Sequence, residues 1–141
     1  MVDALRRARR WVTPDGSVID IHPTAVDAWL EIDDQRIGPL DGGDAPERHA
    51  NATAAVDAAL DEGLFVAASA VDFLFFTYGD SLDELRDHIA AHWRSTRIGD
   101  ALYESARARR RADPRAGRPR VVEQVRLTVL KGVDASRAGS G

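Results

Sequence analysis

The chain has 141 residues, the size of one domain, and its net charge of −4 opposes non-specific attraction to nucleic acid or to an anionic membrane. It contains no cysteine, which excludes disulfides and thiolate metal sites, and no apolar run approaches the ~20 residues of a membrane span. We therefore expect a cytoplasmic protein with one domain over residues 1–134 and a flexible tail over 135–141.

The first forty residues predict a helix, a strand and a hairpin. Apolar residues recur at helical spacing before the turn "TPDG" at 13–16, where proline and glycine favour a chain reversal. A short strand follows over 18–21, and its apolar residues point to both faces, as in a strand covered on both sides. The β-prone segments "AWLEI" and "QRIGPL" flank Asp33 and Asp34, which predicts a hairpin over 28–39.

The middle of the chain predicts a helix and the most buried strand. The helix begins at about Pro46, a residue tolerated in a first turn, and ends at Gly63. The apolar and aromatic segment 71–78 is interpreted as a central strand buried on both faces, and a buried helix is the alternative. Phe75 would then lie in the core, where its replacement by alanine would cost about 3–5 kcal/mol.

The last third predicts two helices and a strand. Ser81 and Glu84 have the spacing of a capping box, so a helix begins there, and a shorter arginine-rich helix begins near Asp100. The final segment, 121–130, alternates in the manner of a strand with one buried face. We expect an α/β fold (truncated, or α+β) in which helices flank a mixed β-sheet.

The order of these elements resembles a known family. A helix, the "TPDG" turn and the strand "SVIDIHP" are similar to the segment that leads into the fifth sheet strand of class I S-adenosylmethionine-dependent methyltransferases. The strand "VDFLFFTYG", the helix "SLDELRDHIAAHW" and the terminal strand "VVEQVRLTVL" follow in the family's order. The resemblance implies a fold like the last strands of a Rossmann-like sheet, with the terminal strand as the antiparallel seventh.

The resemblance covers only the family's C-terminal half. The family holds its cofactor with a glycine-rich loop after the first strand and an acidic residue after the second, and neither has a counterpart here. The one Gly-x-Gly, at Gly139 and Gly141, has no strand before it and no helix after it. The resemblance therefore implies no cofactor binding by this chain alone, and S-adenosylmethionine only if a complementary half is supplied.

Four residues are candidates for a small-molecule pocket. His22 follows the first strand directly, where ligands gather in open α/β sheets, although it could simply hydrogen-bond the loop before Pro23. Trp29, Tyr78 and Trp93 could line the same pocket, although aromatic residues near strand ends more often belong to the core. No catalytic residue can be assigned from the sequence.

Two patterns, one of aspartates and one of histidines, are candidate metal sites. Asp41 and Asp44 flank two glycines, but calcium requires about six or more oxygen ligands and no third carboxylate has suitable spacing. His88 and His92 share a helix face but have neither a glutamate base nor a further ligand. We therefore expect no metal.

A basic run occupies residues 107–120. Phosphate binding is conceivable, but aromatic residues do not interleave with the arginines and the remaining chain is acidic, so nucleic acid is an unlikely partner.

The leading hypothesis is a methyltransferase-like module that is not catalytic alone and is completed by a partner half or by dimerisation. The alternatives are a small-molecule methyltransferase, if an upstream cofactor-binding half exists, or a small-molecule-binding protein. The strand 18–21 would lack one of its neighbours, and unpaired apolar edges are covered or paired in proteins. We therefore expect a homodimer with the N-terminal helix and strand 18–21 at or near the contact, unless the chain's own hairpin covers that edge.

Overall fold

The computed structural model describes residues 1–133, and its helices and strands follow the predicted order. In chain order they are α1 (Val2–Trp11), β1 (Ser17–Pro23), β2 (Trp29–Ile32), β3 (Gln35–Pro39), α2 (Ala45–Asp61), β4 (Phe65–Tyr78), α3 (Leu82–His92), α4 (Asp100–Ala112) and β5 (Arg120–Gly132). The expected tail at 135–141, with Gly139 and Gly141, lies outside the described residues. No helix within residues 1–133 is both long and apolar enough to cross a membrane.

The last strand in the chain lies at the centre of the five-stranded sheet. β5 pairs with β4 along one side, and on its other side it pairs first with β2 and then with β1. β3 extends the sheet by pairing with β2. The prediction of helices flanking a sheet is confirmed, but the described pairings are all antiparallel rather than mixed. β1 and β4 run in the same direction, but β5 lies between them and runs in the opposite direction. These two strands therefore do not form a parallel pair.

Local sequence explains two of the predicted boundaries. Asp33 and Asp34 have φ values of 53° and 60°, the left-handed pair that a two-residue hairpin requires, and aspartate tolerates this conformation. The Ser81 hydroxyl accepts a hydrogen bond from the Glu84 backbone N–H at 3.1 Å, which satisfies one of the free amides at the start of α3. The hairpin and the serine cap are therefore both confirmed.

The helices cover opposite faces of the sheet at its two ends. At one end α3 and α4 pack on Leu30, Ile32 and Val121. At the other end α1 and α2 pack on Leu130 and the start of β4. Val121 and Leu130 are an odd number of residues apart on the same strand and so face opposite ways. The prediction of a single buried face for the last strand is wrong, since the covered face changes along β5.

This arrangement leaves apolar side chains without cover opposite α1 and α2. Ile19 and Ile21 are 61% and 58% exposed, and Phe75 is 51% exposed. We call this surface the open face; by register it consists of Ile19, Ile21, Val66, Val71, Phe73, Phe75, Leu127 and Val129. The predictions that strand 18–21 is covered on both faces and that Phe75 lies in the core are wrong for the single chain. Both predictions took apolar composition as a sign that the chain's own helices provide the cover.

The edges of the sheet also differ from expectation. Residues 71–78 belong to β4, which was predicted to be central but pairs only with β5 and forms one edge. β1 forms another edge, because β5 is its only partner strand among residues 1–133. The hairpin does not cover that edge, since β2 continues along β5 beyond the end of β1.

Candidate functional site

The four predicted pocket residues lie in three separate places. His22 faces α2, where it lines a groove with Thr53 and Arg126. Trp29 and Tyr78 lie on the same face of the sheet as His22, but at the other end of the sheet. At that end α3 and α4 cover the opposite face. Trp93, which follows α3, lines a cavity that none of the other three residues lines. The fold therefore joins Trp29 with Tyr78 but separates both from His22 and Trp93.

Trp29 and Tyr78 are connected through a charged network around Arg120. The Trp29 indole N–H donates to Glu31 at 2.7 Å, and Glu31 accepts from Arg120 at 2.8 Å. Arg120 also donates to the Tyr78 hydroxyl at 3.1 Å and to Asp34 at 2.6 Å. The hydrogen bonds to the Tyr78 hydroxyl and to the Glu31 carboxylate hold the guanidinium in its charged form and raise the pKa of Arg120. Because these polar groups satisfy one another, the network resembles a structural support more than a ligand site.

His22 is also held on both of its ring nitrogens. Its Nδ1 lies 2.5 Å from the Asp20 carboxylate, and its Nε2 lies 3.0 Å from the Thr53 hydroxyl. Asp20 and His22 share one face of β1, and Thr53 lies on α2, so the three side chains connect the strand to the helix. With His22 only 7% exposed, both ring nitrogens require partners, and this network provides them.

The cavity lined by Trp93 has a volume of about 170 Å³ and opens partly to solvent. Its position follows from an interruption in the sheet: β1 ends opposite Val125 and β2 begins opposite Val122, so the loop between them passes beside Glu123. The first turns of α2 and the residues just after α3 close the other sides. Apolar wall residues are Pro23, Val26, Ala28, Leu40, Ala45, Pro46 and Trp93.

Glu123 is the half-buried carboxylate of this cavity. Burial raises its pKa, since the charged form loses water without gaining a compensating partner. Among the described residues, no side chain or backbone group is found hydrogen-bonded to its carboxylate, in contrast to Glu31 and Asp72. An acid in this condition is poised to hold a proton or to accept a donor from a bound molecule.

His49 lies in the first half of α2 and contributes an imidazole to the lining of the cavity. Its Nδ1 lies 3.1 Å from the backbone carbonyl of Thr24, which is an acceptor, so this nitrogen carries the proton. Burial lowers the pKa of His49 and favours the neutral ring. The cavity therefore combines a neutral imidazole with a carboxyl group whose pKa is raised, a pairing that is typical of binding or catalytic sites.

The predicted acidic and histidine candidates are engaged elsewhere. Asp41 pairs with Arg97 at 3.2 Å, and Asp44 pairs with Arg48 at 3.2 Å. His88 and His92 stack on each other with ring centroids 4.4 Å apart. Within residues 1–133, no group of three or more histidine, aspartate or glutamate side chains is arranged to hold a metal ion.

Several arginines of the basic run contact the protein itself. Arg107 pairs with Glu104, Arg110 donates to the Gly117 carbonyl, and Arg118 pairs with Asp80 at 3.2 Å. These contacts reduce the charge that the run presents to a phosphate. The absence of a nucleic-acid partner stays a prediction.

Glu123 and His49 were missed as site residues by sequence reasoning. Glu123 is the one charged residue in the alternating series Val121, Glu123, Val125, Leu127 and Val129. A charge on an otherwise apolar strand face is a usable signal of a site, but the position of His49 beside it depends on the tertiary fold. Comparisons with protein-family models, with curated proteins and with solved structures found no match.

Proposed function

We propose that the chain is a dimerising, methyltransferase-like C-terminal-half module that does not bind S-adenosylmethionine by itself. The observation that carries the proposal is the open face, an apolar surface that spans β1, β5 and β4. The resemblance to the methyltransferase sheet has one structural support: β5 runs antiparallel to β1, as is required of a terminal strand that corresponds to the family's antiparallel seventh.

A second copy of the chain is the occupant that fits the open face. Exposed apolar patches of this kind mark interaction sites, and two such sheets can pack face to face with interdigitated side chains. The exposed fractions of Ile19, Ile21, Val66, Val71, Phe73 and Phe75 amount to about three whole side chains per copy. At about 1.5–3 kcal/mol for each fully buried side chain, two copies gain about 9–18 kcal/mol, against an association cost of about 4–15 kcal/mol.

The contact proposed here includes strand 18–21 but not the N-terminal helix. Leu5 of α1 packs with Val56 and Leu130 on the covered face, opposite Ile19. An isologous interface on the open face would thus bury β1 and β4 together while leaving α1 outside.

The experiment compares two lysine substitutions on neighbouring residues of β4. Phe73→Lys places a charge on the open face, and Leu74→Lys places the same charge on the opposite face of the same strand, where Leu74 is 48% exposed. We expect light scattering to show that the Phe73 variant is monomeric and that the Leu74 variant remains dimeric. Equal behaviour of the two variants, with both folded by circular dichroism, would contradict the open face as the contact.

The cofactor part of the proposal has a separate test. Calorimetric titration with S-adenosylmethionine should give no heat of binding, because the glycine loop and ribose carboxylate of the family have no counterpart in this sequence. A micromolar dissociation constant would contradict this part and leave the dimer untouched.

The second candidate function is a small-molecule methyltransferase completed by an upstream half. No strand within residues 1–133 pairs with the outer edge of β1, and this favours the second candidate, because a further strand of such a sheet would pair there. A continuous upstream reading frame that encodes a strand followed by Gly-x-Gly would support this candidate over the dimeric module.

A further inference from the structure

From the geometry of the Glu123 cavity we infer that it binds a small organic amine, with the ammonium group on Glu123 and the apolar body against Trp93. The inference uses residues of a single chain and does not depend on the dimer proposed above.

The first argument is the unbalanced carboxylate. Glu123 lies half-buried between Val121 and Val125 on β5, next to the interruption between β1 and β2. Its charge has lost water without gaining a donor from the described residues, which is unfavourable. A ligand with N–H donors and a positive charge replaces the hydrogen bonds that the carboxylate made with water and stabilises its negative charge.

The second argument is that the nearby cations do not serve Glu123. Arg48 lines the cavity, but its guanidinium donates to Asp44 at 3.2 Å and to the Arg94 carbonyl at 3.0 Å. Arg94 also lines the cavity, yet among the described residues it forms no hydrogen bond or ion pair with Glu123. Asp27 adds a second carboxylate to the lining, so that the two carboxylates match the two guanidiniums of Arg48 and Arg94 in charge.

The third argument is the shape and character of the walls. A dry cavity of about 150 Å³ is large enough for a benzene ring, so a space of about 170 Å³ takes one ring or a short branched chain. Trp93 offers an indole surface against which the apolar body of the amine packs. The neutral His49 adds no opposing positive charge.

The test uses benzylamine as the probe and benzyl alcohol as its neutral counterpart of similar size. Titration monitored by NMR should show the alcohol binding at least tenfold more weakly than the amine. The chain has three tryptophans, so three indole N–H signals report on the probe's position. We expect the Trp93 signal to shift and the Trp11 and Trp29 signals to stay.

Glu123→Gln supplies the matched variant, since it keeps the shape of the side chain and removes its charge. It should weaken benzylamine binding at least tenfold and leave the alcohol unchanged. Glu31→Gln, on the opposite face of the sheet, is the control and should bind benzylamine as the parent does. Equal binding of amine and alcohol, equal binding to the parent and the Glu123 variant, or no shift of the Trp93 signal at millimolar amine would each overturn the inference.

Discussion

Replacing Phe75 with alanine separates a surface role from a core role. Phe75 is 51% exposed in the single chain, and its exposed half belongs to the open face. Full burial of a phenylalanine side chain contributes about 1.5–3 kcal/mol, so burial of this half in a dimer contributes about 0.8–1.5 kcal/mol per copy. Because both copies lose the ring, the dimer loses about 1.5–3 kcal/mol, and its dissociation constant rises about 10- to 150-fold.

The assay is sedimentation equilibrium over a dilution series, with urea unfolding of the monomer measured in parallel. Leu74→Ala is the matched control, since Leu74 is similarly exposed but points to the opposite face of β4. We expect its dissociation constant to equal that of the parent. Two results would refute the reasoning: a dissociation constant for Phe75→Ala within threefold of the parent's, or a loss of about 3–5 kcal/mol in monomer stability, which is typical of a core aromatic.

Three further substitutions test the contacts described above. Arg120→Met should lower the free energy of unfolding by about 3 kcal/mol because it removes the charged partner of the largely buried Glu31 carboxylate, whereas Arg107→Met, in an exposed pair, should change it by less than about 1 kcal/mol; equal urea midpoints would contradict this. Thr53→Val should cost about 1–3 kcal/mol because the buried His22 Nε2 loses its partner, and an unchanged unfolding curve would show that the contact is dispensable. Burial raises the pKa of Glu123, so the folded state loses stability as pH rises through that raised pKa; Glu123→Gln should therefore stabilise the protein at neutral pH and lose this advantage in acid, and a pH-independent difference in melting temperature would contradict the shift.

Features set by a few adjacent residues were predictable from the sequence. The hairpin follows from two aspartates between β-prone segments, because aspartate tolerates the left-handed conformation that such a turn needs. The start of α3 follows from Ser81, whose hydroxyl can reach an amide three residues on. Both depend on local geometry that sequence spacing specifies.

What covers an apolar strand was not predictable in the same way. β4 is apolar on both sides, and this composition is the same whether a helix of the same chain or a second copy covers it. β5 alternates regularly, but its covered face changes between Val121 and Leu130, because α3 and α4 lie on one side and α1 and α2 on the other. The periodicity of a strand indicates which of its residues are apolar, but it does not indicate which face of the sheet the helices cover.

In the candidate site, too, one residue was predictable from the sequence, whereas its neighbours depend on the tertiary fold. Trp93 is a predicted pocket residue, and it lines the cavity that contains Glu123, without the other three candidates. Its partners Glu123 and His49 come from β5 and α2. They meet because β1 ends opposite Val125 and β2 begins opposite Val122, which leaves an interruption in the sheet beside Glu123. That juxtaposition is a property of the strand register, which the sequence alone does not specify.

The most direct test of the account is the mass of the unmodified protein in solution. Light scattering at high micromolar concentration should give about twice the chain mass of 15.4 kDa, because the open face is apolar and uncovered in the single chain. A single species at 15.4 kDa across the concentration range would contradict the dimer and show that the open face needs no second copy.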